Sequence, residues 1–329
     1  MAWSHGVLSA TPSSDENFKQ VYIAANKVKA TPVGWSQNLG AVVMVAISGG
    51  GYQDLCTATQ ISTRGHLLLN LHCLTDCLAA QPQTLPGASK GFTNPPVLYN
   101  FDSRSVGRQC EISLGSSGQK LKATVMALGR GYINHRNIRN GFKINRGLFY
   151  SWLENDADDN DYAILKVSGL KGSGCARLAS NSLSLNDKVW CLAYPGKTTR
   201  SDGSKIPGQQ KLFTSGYVRT VGVSPPSPSD NQCSTDETLP VNFGRGLFTS
   251  SLDVAPGASG AAIFNERGEI AGLLRGEGAP VDHNCNVICP AETCPYRDGM
   301  AMAIDIQTIL ENVRQNFGEQ VVVDSFNCQ

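Results

Sequence analysis

A hydroxyl, an imidazole and a carboxylate stand out in this chain because each lies where an apolar strand meets a turn. Ser259 sits in "PGASGAA", His72 follows the apolar run "HLLLNL", and Asp161 leads directly into "YAILKV". A serine hydroxyl becomes a nucleophile only when a base takes its proton, and the oxyanion formed on a carbonyl needs fixed N–H donors. Glycines on either side of Ser259 allow the sharp turn that aims backbone N–H groups inward. Asp161, at the edge of a core, needs a partner such as an imidazole N–H. Each residue has a plainer reading as well. Gly-Ala-Ser-Gly makes ordinary turns, a histidine beside Cys73 packs or faces solvent, and the acidic run that includes Asp158 and Asp159 forms a solvated loop or a weak cation site.

The elements that must hold these groups are short and rich in β-branched residues. "GAVVMVAIS", "CTATQIS", "HLLLNL", "KATVMALG", "DYAILKV", "KVWCLAY", "AAIFN" and "EIAGLL" are separated by Gly, Pro, Ser or Asn clusters. The 34 glycines and 16 prolines suit many tight turns. One stretch reads as a helix, "IDIQTILENVRQNF", in which Ile306, Ile309, Leu310, Val313 and Phe317 share a face and Asp305 is placed to cap the start. The expectation is an all-β chain of two six-stranded antiparallel β-barrels and a C-terminal helix. Residues 1–37 form an N-terminal arm or propeptide, 38–180 the first barrel, 181–300 the second, and 301–329 the helix and tail.

Composition narrows the partners. With 329 residues and 41% hydrophobic content the chain can bury a large core. A net charge of +1, from 28 basic and 27 acidic residues, provides no global field for nucleic acid. No apolar run approaches the roughly 20 residues needed to span a bilayer. The N-terminus lacks a basic segment followed by an apolar stretch, which fits a cytosolic chain or a secreted one without its leader. Eleven cysteines favour the second, so a secreted or periplasmic location with several disulfides is expected.

The order His, Asp, Ser in an all-β chain is that of chymotrypsin-like enzymes. "CTATQISTRGHLLLNLHC" resembles the Cys-bracketed segment of chymotrypsin-fold serine endopeptidases, "NDYAILKV" looks like their "DIALLKL" strand, and "PGASGAAIFNERGEIAGLL" is similar to their "GDSGGP" region. The flavour is that of bacterial glutamyl endopeptidases. The resemblance implies Ser259 as nucleophile, His72 as general base and then acid, Asp161 as the carboxylate that orients it, and the N–H groups of Gly257 and Ser259 as the oxyanion hole. It also implies a Cys56–Cys73 disulfide, while the partners of Cys175 and Cys191 stay open. The expected substrate is a protein or peptide, with no cofactor and no metal. A catalytically weak, protease-like binding protein is the alternative.

The departures from the family carry information too. Ala258 replaces the family's Asp or Asn before the serine, and no "IVGG"-like start is present, which argues against the zymogen switch of trypsin-like enzymes. The interval between His72 and Asp161 is long for the family, so the first barrel carries an insertion. Part of it holds Arg130, Arg136, Arg139, Lys143 and Arg146, as a solvated loop or a substrate-steering patch. Asp253, six residues before Ser259, occupies the place of the specificity-pocket floor, where an acid favours Arg or Lys before the cut. Leu274 stands where glutamyl enzymes carry a substrate-binding His, and the neighbouring Arg275 reads as a substrate-binding cation or a solvent-facing side chain. Cys285, Cys289, Cys294 and His283 suggest disulfides in a pocket wall more than a zinc site.

Overall fold

The computed structural model describes residues 8–9, 23–49, 52–74, 77–78, 98–101, 105–115, 120–129, 131–134, 138–139, 143–144, 161–170, 174–196, 198–199, 205–206, 210–221, 246–254, 257–277 and 301–328. Six strands close the first barrel: β1 (Val42–Gly49), β2 (Tyr52–Gln60), β3 (His66–Leu69), β4 (Gln109–Leu114), β5 (Lys120–Leu128) and β6 (Ala163–Val167). They run in the order β6-β3-β2-β1-β4-β5, and every pairing is antiparallel. β3 is apolar on both faces because both are covered. Leu67 and Leu69 point into the barrel with Val45, Ile47 and Leu165, whereas Leu68 joins the core of the other half of the molecule. β6 repeats this alternation, with Ala163 and Leu165 inside and Ile164 outside.

The second sheet uses β7 (Lys188–Ala193), β8 (Leu212–Val221), β9 (Leu247–Ser250), β10 (Ala262–Phe264), β11 (Ile270–Glu277) and β12 (Ala301–Asp305). The order is β8-β7-β10-β11-β12-β9, and β9 pairs back to β8, so these six strands form a second antiparallel ring. Because β12 pairs with both β9 and β11, the sheet extends through Asp305, past the boundary expected at residue 300. The short strands Leu8–Ser9 and Ile23–Ala24 add to β8. The architecture is the all-β, chymotrypsin-like one expected from the sequence.

Helix α1 (Trp35–Ala41) covers this second ring. Trp35 packs on Phe213 and Trp190, with ring centroids 5.4 and 6.0 Å apart, and buried Asn38 donates from Nδ2 to the carbonyl of Gly268 at 2.8 Å. At the C-terminus α2 (Ile306–Phe317) begins as the sequence predicts, with the Asp305 carboxylate accepting the N–H of Gln307 at 2.8 Å. Ile306, Ile309, Leu310 and Val313 are buried, and Phe317 packs beside them. A second helix, α3 (Glu319–Ser325), follows Gly318.

Three disulfides link the described cysteines: Cys56–Cys73, Cys77–Cys110 and Cys175–Cys328. The first is the bridge implied by the resemblance, and the third gives Cys175 the partner that the sequence left open. Cys191 is a free thiol, wholly buried in β7, and burial pushes its pKa up. The readings of Asp158, Asp159, Arg130, Arg136 and Arg146, and of His283, Cys285, Cys289 and Cys294, lie outside the described residues, as do the side chains of Arg139 and Lys143.

Candidate active site

Register explains why His72 meets Asp161. Ala163 of β6 pairs with Leu69 of β3. Running the antiparallel pairing outward brings Asp161, just before β6, beside the 3-10 turn Leu71–Leu74 that follows β3. The turn is tied down at Cys73, which is bonded to Cys56 of β2. His72 Nδ1 lies 2.7 Å from Asp161 Oδ2, and the backbone N–H of His72 donates to Oδ1 at 2.9 Å. Buried Asn70 donates from Nδ2 to the Asp161 carbonyl at 2.8 Å.

The carboxylate is 2% exposed. Burial on its own would raise its pKa, but the charge and hydrogen bonds of His72, with Arg275 Nε 3.6 Å from Oδ2, outweigh that and hold it below its usual range. An ionised carboxylate only accepts hydrogen bonds, so the ring nitrogen facing it must be the donor. In the neutral imidazole the proton is then on Nδ1, and Nε2 carries the accepting lone pair.

Ser259 lies in a turn that is held by three successive carbonyls. Gly257 O accepts from Thr57 Oγ1 and Ser259 O from the Thr57 N–H, both at 2.9 Å, while Ala258 O accepts from Ala261 N at 3.0 Å. The last bond spans a β-turn with Ser259 and Gly260 at its centre, and Gly260 has φ +84, as the third residue of a type II turn requires. A Cβ at Gly260 would stand 2.3 Å from Thr57 O. Ser259 is thus bonded through β2 to the strand whose Cys56 is bridged to the neighbour of His72. Gly257 has φ +93 and lies close against the backbone of Tyr194 and Gly196.

The remaining predicted residues have distinct surroundings. Asp253 is 2% exposed, and its N–H donates to Thr214 Oγ1 at 3.0 Å. Leu274 is wholly buried in the core, with its backbone bonded to Ala261 and Gly260. Arg275 is not solvent-facing, the reading that the sequence favoured: its side chain is 15% exposed and turned to Asp161, a partner on the other barrel. Sulfurs of Cys56 and Cys73 cluster with His72 at metal-like distances, but a disulfide offers no thiolate ligand.

Sequence reasoning missed Thr57, Thr59 and Asn70. Thr57 also accepts the Tyr194 N–H at 2.9 Å, and Thr59 accepts that of Ala262 at 3.3 Å, so one face of β2 fastens the serine turn and the second ring to the first barrel. The signal was present: "CTATQ" puts two threonines two residues apart on one face of a buried stretch of strand. That pattern marks a face that meets backbone rather than side chains.

The chain matches the model of the trypsin-like peptidase domain over residues 56–273. No curated protein matches it. Among solved structures it is similar to the HtrA-type protease AlgW with tripeptide, at 16% identity and a TM-score of 0.44, over 87% of this chain and 62% of that one. Deg5 is 14% identical over 86% of this chain and 93% of its own, with a TM-score of 0.45. The serine endoprotease from Yersinia pestis is 12% identical over 92% and 69%, with a TM-score of 0.42. The chain thus spans less than two thirds of the length of AlgW.

Proposed function

The chain belongs to the family of trypsin-like peptidase domains, and from that premise we propose that it is a serine endopeptidase working through Ser259, His72 and Asp161. The observation that carries the reading is the two-point grip of Asp161 on His72, at ring and backbone. It supports an imidazole fixed in one tautomer and one orientation. His72 Nε2 takes the Ser259 proton as Oγ attacks the scissile carbonyl, then gives it to the departing amine, and water hydrolyses the acyl-enzyme by the same route. Ala258 O is bonded inward to Ala261 N, and in a trans peptide the N–H of Ser259 points the opposite way. This supports its use, with the Gly257 N–H, as the oxyanion hole.

Specificity follows from Asp253. Its buried carboxylate lies in the segment leading to the serine turn, six residues before Ser259, and its negative charge would attract an Arg or Lys of the substrate. Basic residues before the cut are therefore preferred. The three disulfides support an oxidising compartment, outside the cell or in the periplasm.

Cleavage of a mixed peptide library, with fluorophosphonate labelling of the parent and of Ser259→Ala, tests both points. The parent is expected to label and to cut after Arg or Lys. Asp253→Ser should lose that preference and still label. Labelling that survives in Ser259→Ala overturns the nucleophile.

A further inference from the structure

We propose that Arg275 is a positioning residue for Asp161, keeping the carboxylate charged and aimed at His72 so that the site stays active on the acid side of neutrality. The inference rests on the catalytic reading above and goes beyond it, because it removes Arg275 from substrate recognition. Three observations carry it. Arg275 Nε is 3.6 Å from Oδ2, the oxygen that accepts from His72 Nδ1. Arg275 is itself largely enclosed, with 15% of its side chain exposed, against a carboxylate with 2%. The two also come from different barrels, since Asp161 precedes β6 of the first and Arg275 lies in β11 of the second. Arg275 is the extra residue of an irregularity in β11, between Leu274, which pairs with Ala303, and Gly276, which pairs with Met302, and such a bulge re-aims its side chain away from the core that holds Leu274 and toward the carboxylate.

Among the described residues, the charged groups held against Asp161 are His72, from the turn after β3, and Arg275, from β11; Asn70 adds a neutral bond to the backbone carbonyl. A carboxylate excluded from water resists ionisation, and a cation across the barrel interface offsets that. The same cation draws on the charge that would otherwise go to the imidazolium alone. A carboxylate shared between two cations stabilises a protonated ring less than one facing it singly.

The test is the rate of fluorophosphonate inactivation of the full chain from about pH 5 to about pH 9. This probe carries no acidic side chain to be recognised, so an effect on it is not one of substrate specificity. Arg275→Met should lose about three- to tenfold more rate at the acid end than at the alkaline end. Arg275→Gln, which keeps donors without charge, should do the same, and Arg275→Lys should recover most of the loss. In an Asp161→Asn background, Arg275→Met should leave the profile unchanged. A loss equal at every pH overturns the inference, as does an unchanged profile with a higher KM confined to substrates carrying Glu or Asp before the cut. A parent chain that does not label at Ser259 overturns the catalytic reading itself and is seen before any variant is compared.

Discussion

At Gly260 one added carbon is enough to break the candidate site. The residue combines φ +84 with a Cβ position 2.3 Å from the Thr57 carbonyl, and neither backbone strand can retreat without losing the bonds that hold the serine turn. Gly260→Ala should therefore cost about 2–4 kcal/mol of stability and remove fluorophosphonate reactivity, measured by thermal unfolding and labelling. A variant with parent stability and labelling would contradict the turn geometry. Asp161→Asn acts without steric change. The amide oxygen must take the His72 N–H, which leaves the amide NH2 against Nδ1 and forces the ring proton to Nε2. The fold should persist while kcat falls on the order of 10⁴-fold; steady-state turnover of a peptide ester checks this, and a fall below tenfold would sink the tautomer argument. These residues were legible because the chemistry demands particular side-chain types at strand ends. Arg275 was not, since an arginine in a strand gives no sign of which neighbour across another barrel will enclose it.

Elements were legible where their period was undisturbed. α2 reads from its apolar face and its Asp305 cap, both of which are local. α3 was missed because Val321, Val322 and Val323 form a β-branched run with strand propensity, and only tertiary contacts override it. Those contacts come from afar. Thr63 N donates to Asn327 O at 3.3 Å, and Cys328 is bonded to Cys175 in the segment joining the two rings. The same segment bonds to Gln60 of β2 through Ala176 N and to Ile270 of β11 through Ala179 N. The chain end thus straps the crossing between barrels. Cys328→Ser should lower stability by about 2–4 kcal/mol, given the 153 residues that the bridge encloses. The denaturant midpoint with and without reductant reads this; a variant as stable as the oxidised parent would show that the strap holds without its bond.

On the scale of the whole molecule, the strap meets the first barrel at a buried histidine that titrates. Ser62 Oγ accepts the N–H groups of Arg64 and His66, each at 3.2 Å, which leaves its proton to donate to His66 Nδ1 at 2.7 Å. The ring is therefore neutral, protonated on Nε2. Burial, then the charges of Lys166 and Arg64, hold its pKa down at about 4, with Asp324 of α3 opposing them. In the unfolded chain the ring returns to the ordinary value of about 6.5. Between those two values the unfolded state binds the extra proton, so stability falls as pH is lowered through the window and is fully present above it. The loss should reach about 2–3 kcal/mol. Asp161 behaves separately: its carboxyl is held below the usual range, so its contribution is present above the ordinary carboxylate value of about 3.9 and is lost only as the pH falls further. The Arg64–Asp324 pair at 3.0 Å is largely exposed and adds little. Urea midpoints at about pH 7.5 and pH 4.5 should separate more widely in the parent than in His66→Gln, whose amide oxygen still accepts from Ser62 but does not titrate. Equal separations would remove His66 as the acid-sensitive point. A larger separation in the parent would locate the first acid-induced loosening at the hairpin where the C-terminal strap docks, with the Asp161 and His72 pair still intact.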